Sequence, residues 1–237
     1  MRTTGEHPLQ RGLLAARANL GPGLVLQLLA VTIVVAYYTV EPVADALGHV
    51  ADAKQRFGFA FSMVSTAVFA ALIPTLVQQC RPAWRHLAPM HHLPYMLIFW
   101  ALRGAEVDLL YRVQALMFGH GITPASVIPK VLFDQFIYCP FWAVPLMVVG
   151  YLFKDNALSF ARTRAALGPH WYRRRGLPLL IANWGVWIPT VVCIYCLPTP
   201  LQLPIQNIVL CLWCLMILFI TQHNPAVTPS PLGRGPG

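Results

Sequence analysis

Long apolar runs separated by short polar breaks dominate the chain, and each run can be compared with the roughly 20 apolar residues that a helix needs to cross a hydrocarbon core. Residues 20–40, 57–77, 131–153, 177–197 and 203–221 form runs of that length. Glu41-Pro42 closes the first run, and Pro74 sits near the end of the second, where a spanning helix tolerates a kink. Another run, 92–118, is apolar from His92 to Trp100 and then carries Arg103, Glu106, Asp108, Arg112 and Gln114 before Gly119. Such a helix cannot face lipid on all sides. The fourth run is interrupted by Asp134, Gln135, Pro140 and Pro145. Between the fourth and fifth, Ala157 to Leu167 reads as a short amphipathic helix at the membrane surface. The Pro/Gly-rich residues 224–237 read as a disordered tail. The pattern predicts an all-α fold, a polytopic transmembrane helix bundle of six spans that forms one domain over residues 1–223.

Composition supports lipid as the solvent. Of 237 residues, 57% are hydrophobic and 11% are charged, whereas soluble domains carry roughly 25% charged residues. A core of this size cannot hide so much apolar surface from water. The net charge of +9 is divided among the breaks between apolar runs rather than gathered into one stripe, which argues against nucleic acid as a partner. Basic flanks orient spans. With both termini inside, one side receives Arg2, Arg11, Arg17, Arg81, Arg85, Lys154, Arg162, Arg164, Arg173, Arg174, Arg175 and Arg234, and the other only Lys54, Arg56 and Lys130. Leaving out the polar third run would scatter this asymmetry, so the count favours six crossings. Arg2, Arg11 and Arg17 precede the first run with no small-x-small cleavage site after it, as in an uncleaved signal anchor; an organellar presequence is the alternative. Arginine outweighs lysine, which occurs only as Lys54, Lys130 and Lys154, as suits a GC-rich genome and a bacterial inner membrane; a mitochondrial inner or peroxisomal membrane is the other option.

Ionisable residues at membrane depth pair with one another or line a wet cavity. At about 100° per residue, Arg103, Glu106 and Gln114 share one face of the third helix, while Asp108 and Arg112 fall near the opposite face. Glu106 can then neutralise Arg103, and Asp108 can neutralise Arg112. On the fourth helix, Lys130 and Asp134 stand one turn apart, which allows an intrahelical pair, Gln135 offers an amide to a neighbouring helix, and Pro140 leaves the carbonyl of Phe136 without its helical donor. Two roles fit these residues. They tie helices together, or they line a polar path for small solutes between the third and fourth helices.

The pairs Cys193/Cys196 and Cys211/Cys214 would suggest zinc in a soluble loop, but within apolar helices they read as small hydrophobes. His91-His92 reads as an interfacial anchor. No nucleotide loop, hydrolase elbow or zinc-protease motif occurs, so neither enzymatic activity nor a cofactor is expected. The competing readings are an intramembrane metal, haem or thiol redox enzyme, and a structural assembly protein without transport activity.

Lys130 to Gln135 followed by Pro140 resembles the K-x-x-x-D-Q-x-x-x-x-P signature of the family of the mitochondrial protein Mpv-seventeen and the twenty-two-kilodalton peroxisomal membrane protein. Upstream, Gly104 and Tyr111 keep the separation of the family's G-P-x-x-H-x-aromatic-Tyr, with Ala105 and Asp108 replacing its proline and histidine. Downstream, Pro178, Asn183, Trp184, Trp187 and Pro189 resemble P-x-x-x-x-N-W-x-x-W-x-P, followed by Pro198 in the place of the V-P and Trp213 as the late tryptophan. The likeness covers about half the chain, from Gly104 to Thr221, and departs at Gln202, where the family has arginine. It implies a divergent branch of inner-membrane or organellar proteins suspected of forming a pore for small solutes.

Overall fold

The computed structural model describes residues 20–80 and 89–223. The expected signal anchor with Arg2, Arg11 and Arg17, the basic residues Arg81 and Arg85, and the expected tail with Arg234 lie outside these residues. The described chain is helical, with no strand: α1 Leu20–Thr39, α2 Glu41–Gln79, α3 Leu93–Phe118, α4 Pro124–Asp155, α5 Phe160–Leu167, α6 Tyr172–Tyr195 and α7 Thr199–His223. By length and composition α2, α4 and α6 can each cross a membrane, while Gly23–Thr39 and Thr199–Leu215 are shorter apolar helices. The helix expected over residues 92–118 appears as α3, 26 residues long with its charged positions intact, but it is not among the helices apolar enough to cross a membrane by length and composition.

Residues 41–56, which the apolar pattern alone leaves as a connection, belong to α2. Pro42 stands in its first turn, where a missing N–H costs nothing, so Glu41-Pro42 both ends α1 and starts the next helix. The short surface helix begins at Phe160 rather than Ala157. Ala157 and Leu158 have φ of 52° and 56°, and the Ser159 side chain accepts the Arg162 N–H at 3.4 Å as an N-cap.

The described helices fall into two compact units, one built on Leu132–Ile188 with the start of α1, the other on Val25–Val131 and Pro189–Leu218. In the first unit, Cys139, Val144, Val148 and Leu152 of α4 form a buried core with Leu180 of α6. Here α4 widens into π-helical turns over Asp134–Ala143, so a carbonyl looks for its donor five residues ahead. For Gln135 that donor would be Pro140, and for Pro140 it would be Pro145; neither has an N–H. Both orphaned carbonyls are satisfied from α6: Trp184 Nε1 donates to the Gln135 oxygen at 2.9 Å, and the Tyr172 hydroxyl to the Pro140 oxygen at 2.8 Å. Gly176 leaves room for this tyrosine, since a Cβ there would lie 2.9 Å from the Tyr172 ring. Wide turns also precede Pro74 in α2, at Val68–Leu72, and Pro178 in α6, at Tyr172–Gly176.

In the second unit α2 packs along α3, and the close approach is made at Gly104. A Cβ on Gly104 would run into the backbone oxygen of Ser62 and come within 2.6 Å of the Thr66 hydroxyl. Beside this contact, Thr66 Oγ1 donates to Asn207 Oδ1 and Asn207 Nδ2 to Ser65 Oγ, each at 3.0 Å, fastening α7 to α2. The Tyr111 hydroxyl of α3 bonds Gln206 of α7, and the Tyr111 ring packs edge-on against Tyr195 with centroids 5.6 Å apart.

Candidate functional site

The site starts from a break in α2. Gly58 has φ 53° and ψ −127°, a left-handed conformation that turns its carbonyl out of the helical ladder. Two α2 side chains, one turn before and one turn after, donate to that oxygen: Lys54 Nζ at 3.4 Å and Ser62 Oγ at 3.3 Å. The same two groups converge on Asp108 of α3, with Lys54 Nζ 2.7 Å and Ser62 Oγ 2.9 Å from Oδ2. Arg112, one turn along α3, donates from Nε to Asp108 Oδ1 at 3.2 Å and from Nη2 to Oδ2 at 3.4 Å. Its guanidinium lies 4.8 Å from the centroid of the Phe59 ring, in the range of a cation–π contact. One carboxylate thus serves two cations and a hydroxyl, and the helix break is stabilised by the same lysine that neutralises the acid.

Burial separates the members. The Lys54 and Asp108 side chains are 4% and 6% exposed, but Arg112 is 46% exposed. The cluster opens into a cavity of about 690 Å³ that is also lined by Pro198, Thr199 and Pro200 at the start of α7 and by His120. His120 Nδ1 is 3.4 Å from the Thr199 hydroxyl.

Of the residues expected to carry chemistry, Arg103 pairs with Glu106 and Arg112 with Asp108, the partners assigned from helical spacing. The structure adds Lys54 and Ser62 of α2 to Arg112 as partners of Asp108. Gln114 is fully buried and donates from Nε2 to the Lys130 carbonyl at 3.4 Å, while its Oε1 has no hydrogen-bond partner. Lys130 is buried but makes no ion pair among the described residues, so the expected pairing with Asp134 is not formed. The physical reason is the change of helical register at Asp134, where π turns replace the α spacing that an i, i+4 pair requires. Asp134 and Gln135 belong to the other unit, where Gln135 Nε2 donates to Asp134 Oδ1 at 3.2 Å.

The motif residues distribute by role. Gly104 makes the α2–α3 approach and Tyr111 bonds α7. Pro140 and Trp184 take part in the carbonyl exchange between α4 and α6, and Asn183 Nδ2 donates to Cys139 Sγ at 3.3 Å. Pro178 follows the wide turn of α6, Pro189 lies within that helix, Trp187 and Trp213 are buried, and Pro198 lines the cavity. Among the described residues no group of three His, Cys, Asp or Glu side chains could hold a metal ion. Sequence reasoning misses Lys54 as a member of the site, because its polar neighbours read as a loop. Its position one turn ahead of a glycine is the signal that could place it in a broken helix.

No protein-family model, curated protein or solved structure matches this chain.

Proposed function

We propose that this is a multi-pass membrane protein that passes small solutes, with the cavity beside Gly58 as the polar entrance to the path. The observation that carries the proposal is the ion cluster Lys54–Asp108–Arg112. Ionised groups beside apolar spans are costly, and an open cavity at a discontinuous helix is where membrane proteins use them. In this reading α1, α3 and α7 cross the membrane with α2, α4 and α6, giving six spans with both termini inside. A bacterial inner membrane is the proposed location, and kinship with the Mpv-seventeen family is proposed on the motif residues Lys130, Asp134, Gln135, Pro140, Asn183 and Trp184.

The experiment is flux of small solutes through liposomes containing the purified chain. Transport above that of protein-free vesicles, altered in rate or selectivity by Arg112→Gln and Asp108→Asn, supports the proposal. Flux no greater than that of protein-free vesicles, or flux unchanged in both variants, refutes it. A purely structural role is favoured by one feature, the Thr66–Asn207–Ser65 clasp, whose groups are spent on each other. That role predicts lower thermal stability in the charge variants with no change in flux.

A further inference from the structure

Charge in the cavity does not balance. Lys54 and Arg112 supply two positive charges and Asp108 one negative, and the other described residues lining the cavity bring no second carboxylate. The distances say which cation is left over. Lys54 Nζ lies 2.7 Å from Asp108 Oδ2, with the Ser62 hydroxyl on the same oxygen at 2.9 Å, whereas the two Arg112 contacts are stretched to 3.2 and 3.4 Å. Asp108 is therefore chiefly held by the buried lysine. The guanidinium that remains is half-exposed and faces the cavity, with donors beyond the two that reach Asp108. Phe59 lies against that guanidinium, so the arginine is positioned rather than free to leave.

The first turn of α7 also lines the cavity, through Thr199 and Pro200. The N-terminal end of a helix carries partial positive charge, and it adds to the potential already set by Arg112. Low-dielectric walls focus such a field into the opening. We infer that the cavity is a binding site for a small oxyanion, a carboxylate or a phosphate, held by Arg112 and completing the charge balance of the Lys54–Asp108–Arg112 cluster. A guanidinium suits this ligand because its planar fork matches two oxygens at once. This inference rests on the proposed function in naming what enters the cavity, but it concerns equilibrium binding and can be tested without transport.

Asp108 is the internal competitor for Arg112, so the two charge-removing variants must act in opposite directions. The test is calorimetric titration of the purified full chain in detergent with inorganic phosphate and, separately, with succinate, set against matched chloride salts of potassium and choline. The expected result is one saturable oxyanion per chain. Arg112→Gln weakens it at least tenfold, and Asp108→Asn, which frees both cations, tightens it severalfold. Absence of saturable oxyanion binding, binding unmoved by Arg112→Gln, weaker binding in Asp108→Asn, or saturation by potassium or choline instead overturns the inference.

Flux through vesicles with the same solutes separates the two claims. Oxyanion binding without flux leaves the site standing and refutes permeation. Flux of neutral or cationic solutes without oxyanion binding does the reverse.

Discussion

Removing the hydroxyl of Tyr172 should expose the rule that holds α4 to α6. Tyr172→Phe keeps the ring and deletes only the donor that reaches the Pro140 oxygen at 2.8 Å. That carbonyl lacks its helical donor: the Val144 N–H is spent on Cys139, and the next residue, Pro145, has none. A buried carbonyl left unsatisfied costs about 1–3 kcal/mol, and hydrogen bonds between membrane helices average about 0.6 kcal/mol with a ceiling near 1.7. We therefore expect a loss of about 1–2 kcal/mol, or roughly 2–8 °C in unfolding temperature for a chain of this size. The decisive variant is Tyr172→Phe in a Pro145→Ala background, because alanine restores an N–H to the turn and gives the carbonyl an intrahelical donor. There the same substitution should cost under about 0.5 kcal/mol, giving a coupling of about 1 kcal/mol in a double-mutant cycle. Thermal and SDS-induced unfolding in detergent micelles, followed by tryptophan fluorescence, measures all four proteins. An equal penalty in both backgrounds would refute the claim that proline in a wide turn creates the demand that tyrosine meets.

Gly104→Ala should destabilise the chain by about 2–3 kcal/mol, because the new methyl meets a backbone oxygen that cannot rotate away; a melting temperature within 2 °C of the parent, as a rough limit, would show that α2 and α3 are not held this closely. Gly58→Ala has open space around it and a left-handed φ, so its cost should be smaller, about 1–2 kcal/mol, measured in the same detergent unfolding assay. Lys54→Met should cost about 3 kcal/mol by leaving Asp108 to the loosely held Arg112, and Lys54→Met with Asp108→Asn should recover much of that loss, since removing both buried charges is far less costly than removing one. Additive losses in that pair would mean that the 2.7 Å contact is not a coupled one.

The helices are legible in the sequence because long apolar runs bounded by polar breaks mark them, although by length and composition only α2, α4 and α6 are able to cross a membrane. The i, i+3 and i, i+4 partners on α3 are legible for a similar reason: helical spacing fixes which charges meet when both lie on one regular helix. What the pattern cannot supply is contact between elements. Lys54 lies among Glu41, Asp45, His49, Asp52 and Arg56, a composition indistinguishable from an exposed connection, and only packing against α3 reveals that it is buried. Register is the second hidden quantity. A Lys130–Asp134 pairing assumes 3.6 residues per turn, and the prolines that widen α4 cancel that assumption at Asp134. Pro140, Asn183 and Trp184 stand out as a motif before any role can be attached to them. Pro140 and Trp184 serve a helix-to-helix exchange of hydrogen bonds, and such an exchange depends on the partner's position as well as its identity.

The break at Gly58 also sets a direction. All the charged residues of α2 precede it, and Phe59 to Gln79 contains none. Unbroken, α2 would be about 58 Å long, nearly twice a hydrocarbon core; the stretch after Gly58 is about 31 Å, close to one thickness. The cation-rich cavity therefore belongs to a single end of that apolar stretch, the end where α3 finishes and α7 begins. Under the proposed permeation role, a solute drawn in by charge enters beside the charged end of α2 and then runs along a stretch with no charged side chain, so the barriers it meets from the two ends of that stretch are unequal. On that proposed role, current carried through the protein in one direction should exceed the reverse, which recordings across a planar bilayer measure.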